Sequence, residues 1–261
     1  MRSQNTHRHI ESPQNPDFKI YKSLETSSGI KKHQMFLISG TKVVADTLTQ
    51  SSENILAVLG TQEMSSTMSS LANFVRDKSQ AKVRFTYLSD ALFNELDFSG
   101  THHPLLVAKL PEIPKAKLED TPKGLELLVP VGDPNNLGAL LRTALAFEVP
   151  CVLLSQSAHP YHPKCLRAFA HNPFLMPIRR GPSIDHIDDL EFAVLDRGGK
   201  NISNYSWPKS FRILVGEEGP GIPERFKNRE TLSVYTSPKV ESLNASTTVA
   251  LALYSYKNHL S

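Results

Sequence analysis

Short runs of consecutive apolar residues mark the second half of this chain. Cys151-Val152-Leu153-Leu154, Phe192-Ala193-Val194-Leu195 and Arg212-Ile213-Leu214-Val215-Gly216 carry apolar side chains at successive positions, not at alternate ones. A strand built this way is apolar on both faces and has to be covered on both faces. The arrangement that does so is a parallel sheet with helices on either side. Strands near 126–131, 150–154, 191–196, 212–216 and 231–235, with the longest helices near 137–147 and 245–257, fit that plan. The expected fold class is α/β, with a parallel sheet in the C-terminal part.

The first half alternates too. Met35–Ile38, Ile55–Leu59, Val83–Leu88 and Leu105–Leu110 read as strands; Thr41–Leu48, Ser65–Lys78 and Asp90–Leu96 read as helices. Elements of this length make a small α/β sandwich. Residues 1–16 are polar, contain Pro13 and Pro16, and are expected to form a loose arm. Residues 17–110 are taken as the first domain. Residues 111–124 are rich in proline and charge and read as a linker, leaving 125–261 as the second domain.

Bulk properties exclude several classes. Of the 261 residues 39% are hydrophobic and 21% charged, which describes a globular protein with material for a core. No apolar run approaches the ~18 residues of a membrane span, and the segment from Met1 to Arg8 lacks the apolar centre of a secretory signal. Two cysteines, Cys151 and Cys165, make no disulfide framework and fit a reducing cytoplasm. A net charge of +3 permits RNA binding through a local patch without arguing for it. Between Asp17 and Lys42 the cations Lys19, Lys22, Lys31, Lys32, His33 and Lys42 outnumber the acids. Such a run is either a solvated face or a surface that contacts phosphates.

Three polar stretches interrupt the apolar pattern of the second domain. Asp133-Pro134-Asn135-Asn136 lies where a strand hands over to a helix, the place where open α/β sheets hold ligands. Asn136 is positioned to cap the helix. Gly138 weakens the first turn by roughly 1 kcal/mol against alanine, so something has to come close there. Arg142 is the one charge within an otherwise apolar helix, read alternatively as a surface residue with its stem along the sheet. The second stretch, Gly216 to Gly221 with Glu217 and Glu218, has neither dinucleotide nor P-loop glycine spacing, and two carboxylates there would repel phosphate. The third, Ser242-Leu243-Asn244-Ala245-Ser246, opens the last helix, and capping alone accounts for Ser242 and Asn244. His159, His162 and Cys165 have metal-like intervals but no clean ligand pair, so no metal is expected. The neighbouring Lys164 and Arg167 read as a basic loop facing RNA.

In order, Asn136-x-Gly138-x-x-x-Arg142, Gly216-x-Glu218-Gly219-x-Gly221 and Ser242-Leu243-Asn244-x-Ser246 resemble the SpoU/TrmH family over about residues 125–258. Those are ribose 2′-O-methyltransferases of structured RNA that use S-adenosylmethionine, with ribosomal RNA placed ahead of transfer RNA as the target here. The resemblance implies a SPOUT domain with a deep trefoil knot, and a homodimer. It implies a catalytic set of Asn136, Arg142, Glu218, Ser242 and Asn244, and cofactor contacts from Leu195, Gly216, Glu217, Gly219, Val234, Leu243 and Ser246. Arg142 would face the target ribose. Guanidinium is always charged, so holding a phosphate and orienting the sugar is the conservative role for it. Asn136 and Arg142 lie six positions apart, about 9 Å along a helix, and point to different sides. Two copies at a symmetric interface could bring them to one atom. Lys32 to Gly40 is similar, more loosely, to the start of the substrate-binding domain of many SpoU enzymes, which is akin to a ribosomal RNA-binding protein fold. Lys22, Lys31, Lys32, Lys164 and Arg167 are the expected RNA contacts.

The pattern also departs from the family. Val234-Tyr235-Thr236 stands where Ile-Pro-Met is usual, Pro238 replaces a glycine, and Arg167-Ala168-Phe169-Ala170-His171 replaces Arg-Ala-Ser-x-Gly. The rival reading is an RNA-binding protein on a methyltransferase scaffold with weak or lost cofactor binding.

Overall fold

The computed structural model describes residues 8–78, 83–216, 221–240 and 242–260. The chain divides into two compact units. One comprises Met1–Pro111 together with Tyr161–Phe174, and the other Glu112–Pro160 together with Leu175–Ser261.

In the first unit the elements run β1 (Arg8–Ile10), α1 (Pro16–Ser23), α2 (Ser27–His33), β2 (Met35–Ile38), α3 (Thr41–Ser51), β3 (Ile55–Gly60), α4 (Ser65–Lys78), β4 (Arg84–Leu88), α5 (Asp90–Leu96) and β5 (Leu105–Lys109). The five strands form a mixed sheet in the order β1-β4-β3-β5-β2. Leu37, Ala57, Leu59, Leu88, Leu105 and Val107 pack with Phe18, Tyr21, Leu92 and Phe93. Phe36 alternates to the other face. There it meets Tyr161, with ring centroids 4.7 Å apart, and Phe174, 5.8 Å apart.

Residues 1–7 of the expected loose arm lie outside the described residues, and from Arg8 on the expectation is corrected. Arg8–Ile10 pairs in parallel with Thr86–Leu88, and Ile10 is buried. Pro16 opens α1 behind the Asn15 cap, whose side chain accepts from the Asp17 N–H at 2.9 Å. The proline that read as a loop signal is a first-turn helix residue. Gly29 is obligatory at the α1–α2 corner, because a Cβ there would lie 2.0 Å from the Ser23 carbonyl oxygen.

The second unit holds β6 (Leu125–Val129), α6 (Pro134–Ala146), β7 (Cys151–Leu153), β8 (Ile178–Arg180), β9 (Ala193–Asn201), β10 (Phe211–Val215), β11 (Thr231–Ser233) and α8 (Ala245–Leu260); α7 (Pro163–Phe169) belongs to the first. All six strands are parallel, in the order β11-β9-β10-β6-β7-β8. Leu128, Val152, Val194 and Leu214 share one core with Phe192, Ile222 and Phe226. Leu127, Val129, Ile213 and Val215 alternate to the other face and are buried as well. Burial on both faces is what the continuous apolar runs require.

Residues 112–116 are not the free linker that their composition predicts. The Arg180 N–H donates to the Pro114 carbonyl at 2.8 Å and the Ala116 N–H to the Arg180 carbonyl at 2.9 Å, so the segment completes the β8 edge. Ala116 enters the core. An edge strand leaves backbone donors and acceptors unpaired, and this segment satisfies them. Strand β8 (Ile178-Arg179-Arg180), with one apolar residue, and the short helix α7, lying in the stretch read as a basic loop, were not expected from the sequence.

Candidate active site

Strands β6, β9 and β10 end side by side, and the chain leaving β6 turns directly into α6. Asp133, not Asn136, caps that helix: its Oδ1 accepts from the Asn136 N–H at 2.9 Å, and Pro134 takes the first helical position. Proline at this position costs no hydrogen bond, because the first helical N–H has no intrahelical partner. Cap duty thus passes to Asp133, and the Asn136 side chain is available for another partner.

That partner comes from far along the chain. Asn244 caps α8, its Oδ1 accepting from the Ser246 N–H at 2.9 Å and from Ser246 Oγ at 2.5 Å. With the oxygen so engaged, the Asn244 amide nitrogen faces the other way and donates to Asn136 Oδ1 at 3.2 Å. The first and third motifs therefore meet at a polar corner where α6 packs against α8. Removing the cap should be felt here. Asp133→Ala is expected to cost about 1 kcal/mol, a fall of about 2–4 °C in Tm, and Asp133→Ser to recover most of it. Thermal unfolding checks this, and an unchanged Tm in Asp133→Ala refutes the cap's contribution.

The ends of β9 and β10 also come together. Val215 pairs with Leu195, and a Cβ on Gly216 would lie 3.4 Å from the Leu195 carbonyl oxygen and 3.6 Å from Ile222 Cδ1. Both are ordinary van der Waals distances, so the glycine adds no bulk at the strand end without being demanded by packing. Glu217, Glu218 and Gly219 lie outside the described residues. Ser242 is exposed, Leu243 is half-buried, and Val234 lines a groove beside α8. Arg142 is exposed, while Leu137, Gly138, Leu140, Leu141 and Ala144 face inward. Six helical positions put it about 9 Å and about 240° away from Asn136.

All five cations expected at RNA sit in the first unit, Lys164 and Arg167 included, because both lie on α7. Lys31, Lys32, Lys164 and Arg167 are exposed. Lys22 is committed elsewhere, with Nζ 2.6 Å from Glu25 Oε1 and 3.5 Å from Glu95 Oε2. Burial opposes the Lys22 charge, but these two carboxylates outweigh it and raise its pKa. Its positive charge is thus largely spent within the protein. His162 caps α7, Nδ1 accepting from the Lys164 N–H at 3.2 Å. Burial, then the Lys164 charge, lower its pKa and favour the neutral ring that a cap needs. Cys151 and Cys165 are buried. Among the described residues no group of three or more His, Cys, Asp or Glu side chains is placed to hold a metal ion.

A fully parallel sheet whose polar residues gather at the carboxyl ends of its strands defines an α/β domain with one ligand-binding edge. Comparison with known proteins narrows the class. Residues 127–254 match the SpoU rRNA Methylase family. A Syntrophobacter fumaroxidans protein named ribosomal RNA small subunit methyltransferase G 2 is 37% identical over 253 residues; the match takes in 95% of this chain and 49% of that protein, so the chain spans about half the length of that relative. The Bacillus subtilis 23S rRNA (guanosine(2553)-2′-O)-methyltransferase RlmP is 27% identical over 256 residues, covering 95% of this chain and 98% of the relative. Among solved structures, the AdoMet-bound rRNA methyltransferase from Sinorhizobium meliloti superposes with a TM-score of 0.78 at 18% identity, covering 97% of this chain and 98% of that one. Residues 127–254 thus form a SpoU methylase domain, and the likeness to RNA methyltransferases extends over 95% of the chain in both relatives.

Asp133 holds the helix cap that the sequence pattern assigns to Asn136. An aspartate directly before a proline at a strand-to-helix turn is a cap-and-first-turn signal, and it was there to be read.

Proposed function

We propose that this protein is an RNA 2′-O-ribose methyltransferase that uses S-adenosylmethionine and acts on ribosomal RNA as a homodimer. The observation that carries the reading is the Asn244–Asn136 hydrogen bond, which joins two motifs 108 residues apart at the ligand edge of the sheet. The names of the relatives support the same activity. The B. subtilis relative puts a guanosine of large-subunit RNA first among targets to examine.

The residues present fit the cofactor. Gly216 adds no side chain beside Leu195 at the ends of β9 and β10, and the sequence of the turn after β10 has neither dinucleotide nor P-loop glycine spacing, which a phosphate-free sulfonium compound does not need. When bound, S-adenosylmethionine supplies an electrophilic methyl group. This chain's part is to hold the sugar hydroxyl in line with it and to exclude water. Asn136 and Asn244 fix the corner that receives the ribose. Arg142, with its planar fork of donors, grips the flanking phosphate and orients the sugar. Ser242, Leu243 and Glu218 complete the pocket by family resemblance, and the trefoil knot threads residues 242–246 beneath the cofactor. The first unit reads the RNA through Lys31, Lys32, Lys164 and Arg167. Among the described residues no helix is long and apolar enough to cross a membrane, and action in the cytoplasm is part of this reading.

The dimer rests on two observations. Arg142 and Asn136 diverge on one helix, so a second copy is needed to bring them to one substrate. Helix α8 also shows solvent an apolar face, with Leu251 40% and Tyr254 58% exposed, beside the 78% exposed Tyr235 and a groove of about 450 Å³. Unpartnered aromatics of this size mark an interface.

Ribose-methylation mapping of ribosomal RNA from cells lacking the protein tests the function. One methylated ribose should be lost, and purified protein with S-adenosylmethionine should restore it; identical maps overturn the reading. The double variant Leu251→Asp, Tyr254→Asp should sediment as an inactive monomer that still folds, and a fully active monomer refutes the shared site.

A further inference from the structure

The β8 edge of the second unit's sheet carries cations that no acid answers. Lys115 and Arg180 are register partners on parallel backbone, about 4.8 Å apart, so their side chains share one face of the sheet. Alternation fixes which face. Ala116 packs into the core with Leu128 and Val152, and Arg179, the partner of Val152, turns the same way to reach Glu126 at 3.3 Å. Lys115 and Arg180 therefore lie on the opposite face. Lys117 is the next cation, at a turn closed by the Asp120 N–H on the Lys117 carbonyl at 3.3 Å. All three are exposed, and none forms an ion pair among the described residues, although Glu112 and Glu119 stand at either end of the segment.

Like charges opposed on neighbouring strands repel and cost the sheet stability. Charges on an outer strand also deter pairing with other chains, which accounts for Lys115 and Lys117. It does not account for Arg180, one strand further in. A local rule broken in this way marks a place where a ligand supplies the missing countercharge. The position fits as well. Arg180 is the last residue of β8, and parallel strands put it on the same carboxyl edge as the turn from β6 into α6. Strands β7 and β8 and the 114–116 segment add three spacings, so the cations lie roughly 10 to 14 Å across the sheet from the end of β6. That is a few nucleotides along a strand from the turn that leads to Asn136.

We infer that Lys115, Lys117 and Arg180 hold the sugar-phosphate backbone of the RNA beside the methylated nucleotide, which gives the second unit an RNA-contacting edge of its own. Contacts to phosphates fix the register of the strand and carry no sequence information. The lysines supply point charges, and Arg180 a fork matched to phosphate oxygens. The inference rests on the RNA methyltransferase reading and adds to the cations of the first unit three from the second. None of the three is a catalytic residue.

The test compares the full-length protein with the triple variant Lys115→Gln, Lys117→Gln, Arg180→Gln, which removes the charges and keeps long polar side chains. The probe is a labelled oligouridylate of about 20 nucleotides, since phosphate contacts serve any sequence. On a single strand each phosphate contact contributes about −0.7 to the slope of log affinity against log salt. The variant's slope should be shallower by about 2, and its affinity near physiological salt about tenfold weaker. On unmethylated ribosomal RNA, KM should rise by about tenfold at unchanged kcat, with calorimetric affinity for S-adenosylmethionine unaltered. Removing opposed charges should leave Tm at or above that of the wild type. A slope and affinity equal to the wild type's overturn the inference, and so does weaker binding that comes with a Tm lowered by several degrees. The titration needs no turnover, so the two readings fail separately. An inert wild type whose slope depends on these cations loses the methylation and keeps the RNA edge; an active wild type with the same slope as the variant loses the edge alone.

Discussion

Replacing Arg142 with alanine is expected to slow methyl transfer by about a hundred- to a thousandfold while S-adenosylmethionine affinity stays within about twofold. The side chain is exposed on α6, apart from the inward-facing leucines, so its loss opens no cavity and the fold should not suffer. On the proposed mechanism its contribution is a forked, charge-assisted contact to the substrate, made in the correct geometry only when the sugar is in place. Lysine keeps the charge but not the fork, and Arg142→Lys should recover only part of the rate. Single-turnover kinetics with calorimetry separate these effects, and retained turnover in Arg142→Ala removes the residue from the mechanism. Mixing two inactive proteins sharpens the test. If each site takes Arg142 from one copy and Asn136 from the other, a mixed dimer of Arg142→Ala and Asn136→Ala chains contains one intact site and regains activity. If both residues serve the site of their own chain, both sites stay broken and no activity returns.

The second large effect is on stability. Glu126 is 3% exposed on β6, and its Oε2 accepts from Nε of Arg212, itself 6% exposed on the neighbouring β10, at 2.8 Å. Arg179 reaches the other carboxylate oxygen at 3.3 Å. The Arg212–Glu126 register makes this a directly opposed cross-strand pair. Glu126→Ala strands the Arg212 guanidinium in the sheet, with Nη2 still donating to the Asp120 carbonyl at 2.5 Å but the carboxylate gone from Nε. Breaking a buried pair from one side costs about 3–5 kcal/mol, a large share of a total stability of about 5–15 kcal/mol. For a chain of this size that lowers Tm by about ten degrees. Chemical denaturation checks it, and a loss below about 1 kcal/mol shows that water reaches the arginine. Burial, and behind it the Glu126 charge, also push the Cys151 thiol up, so it remains a protonated core side chain.

Much of this architecture is legible in the residues, for identifiable reasons. Runs such as Cys151–Leu154 announce a strand buried on both faces because only that environment accepts apolar side chains at every position. The motif order points to the family because each motif falls at a strand-to-helix turn. What escaped was set by partners distant in sequence. Arg8–Ile10 is polar enough to read as a tail, and only β4 makes it a strand. Pro114 and Ala116 look like linker until β8 supplies their backbone partners. Asn136 read as a cap because Asn fits that position well, yet Asp133 sits three residues earlier, where the geometry of the cap requires it. Lys22 looked like its neighbours Lys31 and Lys32, and Glu95, far along the chain, distinguishes it. The contact between Asn136 and Asn244 could be proposed from the family pattern, but its direction follows only from Ser246 occupying the Asn244 oxygen.

The excursion of Tyr161–Phe174 has a consequence for any attempt to exchange parts. Cutting after Pro111 does not release a self-sufficient second part, because Tyr161, Leu166 and Phe169 would be left without the sheet that shields them. A transplant of the first unit into a related chain must therefore carry two separate pieces of sequence and rejoin the host chain at three seams. Swaps made at a single crossover should yield insoluble hybrids, whatever the merit of either parent.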